Sequence, residues 1–168
     1  MKLILIGFMG TGKTVIGKKI SNKSNIKFVD MDNEIEKREN MTITKIFEIN
    51  GEQYFRILET KVLKDLLKEN NIIISTGGGI VTTDENLDIL KKEKNVVFLD
   101  GNVETIKRNV SRELDKRPLL KNSSNIYDTI EKLLNQRYDK YNSTCDIKID
   151  INDKNIQEVV SEILVSIR

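Results

Sequence analysis

Gly7-Phe8-Met9-Gly10-Thr11-Gly12-Lys13-Thr14 satisfies the pattern G-x-x-x-x-G-K-[ST] at every specified position. It follows an apolar run of strand length, Lys2-Leu3-Ile4-Leu5-Ile6, and opens a helical stretch, the context in which such a loop binds phosphate. Each residue type has a physical reason. Glycines let backbone N–H groups turn inward and approach phosphate oxygens without a Cβ in the way. The helix that follows adds the positive end of its dipole. Lys13 supplies a point charge for the β- and γ-phosphates, and the Thr14 hydroxyl is placed to ligate Mg²⁺. The alternative, a chance glycine-rich turn, has to match the whole motif in the right context by accident. The loop alone does not separate kinases from GTPases or ATPases.

Outward from this loop, short runs rich in Ile and Val alternate with helix-period segments. Strands are expected at Lys2–Ile6, Lys27–Asp30, Ile72–Ser75, 96–99 and 146–149. Runs of this kind suit a parallel sheet buried on both faces. The clearest helix is the last, where Ile156, Val159, Val160, Ile163, Leu164 and Ile167 share one face of a 3.6-residue period. A second is expected over 55–67, with Leu58, Val62 and Leu66 along one stripe. Strand–helix alternation predicts an α/β fold with right-handed crossovers.

The 168 residues fit one domain, and no repeat or Gly/Ser/Pro linker divides them; Pro118 is the only proline. With 38% hydrophobic and 32% charged residues the chain reads as globular. Lys and Arg total 28 against 26 Asp and Glu, a net charge of +2 that is too small to argue for a nucleic-acid or membrane-surface partner; none is expected. There is no histidine, which excludes a Ser-His-Asp triad and His-ligated metals. The one cysteine, Cys145, cannot form an internal disulfide, and the expected compartment is the reducing cytoplasm. The apolar N-terminal run stops at Gly7, far short of a membrane span and without a small-residue cleavage site.

Four further groups of residues carry chemistry. Asp30 and Asp32 end the second expected strand, and in open α/β sheets ligands bind beyond the carboxyl ends of strands. One carboxylate there can hold a metal-bound water while the other meets a substrate hydroxyl; alternatively, one of them is a helix N-cap. Gly51-Glu52-Gln53-Tyr54-Phe55-Arg56 leads into the second helix, and Thr76-Gly77-Gly78-Gly79 follows the third strand, leaving room for a ligand at the backbone. Arg117-Pro118-Leu119-Leu120 lies in a polar stretch that reads as a mobile loop, where an Arg can stabilise charge on a transferring phosphate. Arg137 stands on the next helical stretch, in Gln136-Arg137-Tyr138. Taken singly, Arg56, Arg117 and Arg137 would each read as solvated surface charges.

In combination, GxMGTGKT, DxD, GExxFR, TGGG, RPLL and RY, in that order from Gly7 to Tyr138, resemble the shikimate kinase family. The resemblance spans nearly the whole chain, and GExxFR, TGGG and RPLL are more diagnostic than the phosphate loop. It implies a three-layer P-loop kinase fold: a five-stranded parallel sheet flanked by helices, with a lid segment at approximately 113–125 in one domain over 1–168. It implies ATP-dependent phosphorylation of the 3-hydroxyl of shikimate in aromatic amino-acid biosynthesis, by a cytoplasmic monomer. By position, Gly10, Thr11, Gly12, Lys13, Thr14, Val15 and Arg117 correspond to ATP-binding residues. Thr14 and Asp30 correspond to the Mg²⁺ site. Asp32 matches the carboxylate that binds shikimate hydroxyls and takes part in deprotonating the 3-hydroxyl. Arg56 and Arg137 match the pair that grips the shikimate carboxylate, while Gly77, Gly78 and Gly79 match the backbone contact. Arg117 matches the lid arginine that reaches ATP phosphates, and Asp32, Lys13 and Arg117 are the catalytic set. The family often stacks an arginine on adenine; Arg108 and Arg112 are both available here, as is the segment 152–155.

The nearest rival is a kinase of another small metabolite on the same fold, such as gluconate or a nucleoside monophosphate. The Arg56/Arg137 pair argues instead for a carboxylate acceptor, since guanidinium donates two parallel hydrogen bonds to one. A GTPase-like switch would carry a base-reading NKxD-like motif after a later strand, and the sequence has none.

Overall fold

A computed structural model of the chain describes residues 1–111 and 125–167. The strands are β1 (Lys2–Ile6), β2 (Lys27–Asp30), β3 (Ile72–Ser75), β4 (Val96–Asp100) and β5 (Ile147–Asp150). They form one sheet in the order β2-β3-β1-β4-β5, every pair parallel. The described helices are α1 (Lys13–Ser24), α2 (Met31–Glu39), α3 (Ile43–Leu66), α4 (Asp84–Leu90), α5 (Val103–Val110), α6 (Ile126–Asn142) and α7 (Ile156–Ser166). A 3₁₀ turn, Ile80–Thr82, precedes α4. None of the described helices is long and apolar enough to cross a membrane.

The alternation of strand side chains sorts the core into two layers. Leu3, Leu5, Ile73, Val97 and Leu99 face α1 and α7, meeting Ile16, Ile20, Val159, Val160 and Ile163. Ile4, Ile6, Ile72, Ile74, Val96 and Phe98 face the other way, onto Met31, Leu63, Ile106, Ile130 and Tyr141. The three central strands are therefore apolar on both sides, as parallel strands under helices must be. Helix ends are set by local chemistry. Asn25 and Asn40 close α1 and α2 in the left-handed conformation. Asn155 and Glu158 form a reciprocal capping box at the start of α7.

Three boundaries differ from the sequence expectation. β4 runs one residue further, to Asp100, and β5 lies one residue later than 146–149. Asp146 is instead a side-chain acceptor for the Val96 amide, so it anchors the strand edge without joining it. The second helix begins at Ile43 rather than at residue 55. Gly51, at φ 81° and ψ 170°, breaks its dihedral pattern midway, and a glycine there reads from sequence as the end of a loop. Val62 and Leu66 are buried as expected, while Leu58 is only partly covered.

Because β2, β3 and β1 are neighbours, the segments leaving their carboxyl ends come together: Asp30 and Asp32, the loop 76–79, and the loop 7–12.

Candidate active site

The loop between β1 and α1 holds Gly10 at φ 79° and Gly12 at φ 85°, conformations in which a Cβ is strained. Thr11 is buried, and its hydroxyl donates to the Phe8 carbonyl at 2.8 Å. Lys13 is 8% exposed and folds back across the loop, donating to the carbonyls of Gly7 and Phe8 at 2.8 and 2.9 Å. Its charge is thus held at the loop, where a phosphate would compete with those carbonyls for the ammonium. Val15, in the first turn of α1, is exposed. From α5, Asn109 donates to the Gly10 carbonyl at 2.8 Å.

Asp30 is the helix cap of the pair and also reaches the phosphate loop. One oxygen accepts from the amides of Asp32 and Asn33, making Asp30 the N-cap of α2. The other accepts from the Thr14 hydroxyl at 2.5 Å. Two hard oxygen donors therefore sit side by side where the phosphate loop becomes a helix. This suits a Mg²⁺ ion that takes few protein ligands and keeps phosphate and water oxygens. Among the described residues, no group of three or more His, Cys, Asp or Glu side chains forms a metal cage.

Capping by Asp30 sets the direction of α2 and puts Asp32 in its first turn, facing the loop 76–79. A Cβ on Gly77 would lie 2.9 Å from Asp32 Oδ1 and 2.6 Å from Glu59 Oε1, so only glycine admits both carboxylates. A Cβ on Gly79 would lie 2.2 Å from Arg56 Nη1, inside the guanidinium. Gly78 touches the phosphate loop on one side, with its Cβ position 3.0 Å from the Met9 amide nitrogen. On the other side its carbonyl accepts from Arg137 Nη1 at 3.2 Å. None of the hydrogen bonds among the described residues uses the amides of Gly77, Gly78 or Gly79 as donor.

The two arginines are held differently. Arg56 is clamped by carboxylates, Nη1 on Glu59 Oε2 at 2.9 Å and Nη2 on Glu52 Oε1 at 2.9 Å, with Nε also on Glu52 at 3.2 Å. These bonds use three of the five guanidinium N–H groups and leave two for a ligand. Burial works to lower the Arg56 pKa, but Glu59 and Glu52 outweigh it and the pKa is raised. Arg137 is 6% exposed and lies over the Phe8 ring, 5.7 Å from its centroid.

Glu59 is fully buried, and its Oε1 has no hydrogen-bond partner among the described residues. Burial pushes its carboxyl up to about 7, against the pull of Arg56 and with a further push from Asp32. Sequence reading passed over Glu59 and over Tyr141, whose hydroxyl also donates to the Gly78 carbonyl. For Glu59 a signal existed, since a carboxylate three residues after an arginine shares its helix face. The fold thus gathers Asp30, Asp32, Arg56, Arg137 and the loop 77–79 around the end of the phosphate loop. Arg108 lies exposed in the last turn of α5. Arg112, Arg117 and nearly all of the expected lid at 113–125 lie outside the described residues.

Comparison with known proteins points the same way. A family model described as shikimate kinase matches residues 9–168. A shikimate kinase of Clostridium botulinum is 43% identical over 162 residues, covering 96% of this chain and 94% of that protein. The structure of a shikimate kinase from Acinetobacter baumannii, in complex with shikimate, superposes with a TM-score of 0.92 at 34% identity, over 97% of this chain and 90% of that one. That of the Aquifex aeolicus shikimate kinase gives 0.81 at 42% identity, over 99% and 95%.

Proposed function

Since the chain belongs to the shikimate kinase family, we propose that it transfers the γ-phosphoryl group of ATP to the 3-hydroxyl of shikimate. The products are shikimate 3-phosphate and ADP, on the route to chorismate and the aromatic amino acids. The observation that carries this reading is the convergence of the buried Arg137, the half-buried Arg56 and Asp32 on one glycine loop that touches the phosphate loop.

Phosphoryl transfer asks mainly for positioning and for cations around the moving charge. Gly10, Thr11, Gly12, Lys13, Thr14 and Val15 receive ATP, with backbone amides and the Lys13 ammonium on its phosphates. Arg56 and Arg137 hold the shikimate carboxylate, and Gly77, Gly78 and Gly79 offer their amides beside it. This fixes the ring so that a hydroxyl meets Asp32, which accepts its proton as the oxygen attacks. Glu59 and Glu52 keep the Arg56 guanidinium from swinging away. Thr14 and Asp30 would hold Mg²⁺, which would offset the charge of the ATP phosphates. Arg117 is assigned to the ATP phosphates, on a lid at approximately 113–125 whose closure excludes water as a competing acceptor.

The whole chain, 1–168, is read as one domain acting as a cytoplasmic monomer, with ATP and shikimate as its partners and neither nucleic acid nor membrane among them. The test is ADP release from Mg·ATP with and without shikimate. Release that depends on shikimate supports the reaction and the acceptor. Release indifferent to shikimate, or triggered instead by gluconate or a nucleoside monophosphate, overturns the acceptor.

A further inference from the structure

Tyr141 lies one helical turn after Arg137 on α6, so both side chains share a face. The residue is fully buried. Its ring stacks on Phe98 of β4, with centroids 5.1 Å apart and planes 19° from parallel, and Tyr138 closes edge-on against the same phenylalanine at 5.8 Å. The ring therefore has one position, fixed by the core. A buried tyrosine hydroxyl must find a partner, and this one finds the carbonyl of Gly78, which Arg137 Nη1 also uses.

A carbonyl oxygen has two lone pairs, and here both are directed to α6. The peptide bond is planar and trans, so N–H and C=O point in opposite directions. Holding the Gly78 carbonyl toward α6 turns the Gly79 amide away from it. The same oxygen locates the Arg137 guanidinium. We propose that Tyr141 is a positioning residue of the acceptor site: its hydroxyl sets the Gly78–Gly79 peptide plane and, through the shared carbonyl, the guanidinium of Arg137. The inference rests on the shikimate kinase reading for its substrate, but not for its geometry. Burial raises the Tyr141 pKa against the opposing pull of Arg137, so the hydroxyl stays a donor.

Tyr141→Phe keeps the ring and its stacking on Phe98 and removes only the donor. The expected result is a shikimate KM raised about tenfold and a reduced kcat, with the affinity for ATP alone within about twofold of wild type. Paired with Arg137→Ala, the two effects should be clearly non-additive, because both act through one carbonyl. A variant that loses thermal stability but keeps wild-type kcat and shikimate KM overturns the proposal, as does full additivity with Arg137→Ala. Wild-type protein in the same assay separates the two ideas, since absence of shikimate-dependent ADP release counts against the substrate alone. A readout independent of substrate is the backbone NMR spectrum of the free protein. Tyr141→Phe should move the Gly78 and Gly79 amide resonances and leave that of Gly12 in place; unmoved Gly78 and Gly79 signals overturn the proposal.

Discussion

Asp32 Oδ1 and Glu59 Oε1 converge on the space that a Gly77 side chain would fill, 2.9 and 2.6 Å from that Cβ position. The two differ in surroundings. Asp32 is half-exposed at the start of α2, while Glu59 is sealed in the core against Arg56, with Arg137 also close enough to act on it. In the proposed reaction a base needs access to its substrate and a clamp needs rigidity, and the pair would divide those tasks.

The burial of Glu59 gives stability a pH dependence of definite sign. Its carboxyl titrates at about 7 in the folded protein, well above the usual carboxylate range, so the folded state binds the proton more tightly than the unfolded chain. This contribution is full below the ordinary carboxylate pKa and is lost as pH rises through about 7. Urea unfolding at pH 5 and pH 8 should show a smaller difference for Glu59→Gln than for wild type. Equal differences would remove Glu59 as the source.

Asp32→Asn keeps the shape of the first turn of α2 and removes the proposed proton acceptor. Turnover should fall by about 100-fold or more, with the melting temperature nearly unchanged because Asp30, not Asp32, caps the helix. Near-normal kcat would exclude Asp32 as the base.

Lys13→Met preserves most of the side-chain volume but removes an ammonium that two loop carbonyls share. Shikimate-dependent ADP release should fall below detection, and isothermal titration should show weakened ATP binding. Unchanged kinetics would contradict the phosphate role.

Gly79→Ala places a methyl group where the Arg56 guanidinium lies, 2.2 Å from Nη1. Arg56 cannot yield freely, since Glu59 and Glu52 hold both ends. The variant should lose about 1–3 kcal/mol of stability, as overpacked sites do. Its shikimate KM should rise while ATP affinity holds. A shift in the ATP KM alone would place Gly79 on the wrong half of the site.

Local chemistry made part of this protein legible. The phosphate loop declares itself because glycine spacing, a lysine and a hydroxyl are all needed within one turn, and no distant residue can substitute for them. The central strands declare themselves because parallel strands buried on both faces must be continuously apolar. Helix α3 was only half legible: Gly51 reads as the end of a loop, yet the helix already begins at Ile43 and passes through it as a kink.

That Asp30 both caps α2 and meets Thr14, sixteen positions away, depended on the fold, which brings that hydroxyl to its second oxygen. Glu59 and Tyr141 look in sequence like an ordinary helical charge and an ordinary core aromatic. Their importance comes from the loop 77–79 closing against them. The sequence by itself determined which loop has the phosphate-binding pattern and which runs must be buried, because spacing and hydrophobicity act over a few residues. Only the tertiary structure decided which charges share a space, because burial and pairing depend on groups that meet across the sheet and helices, far apart along the chain.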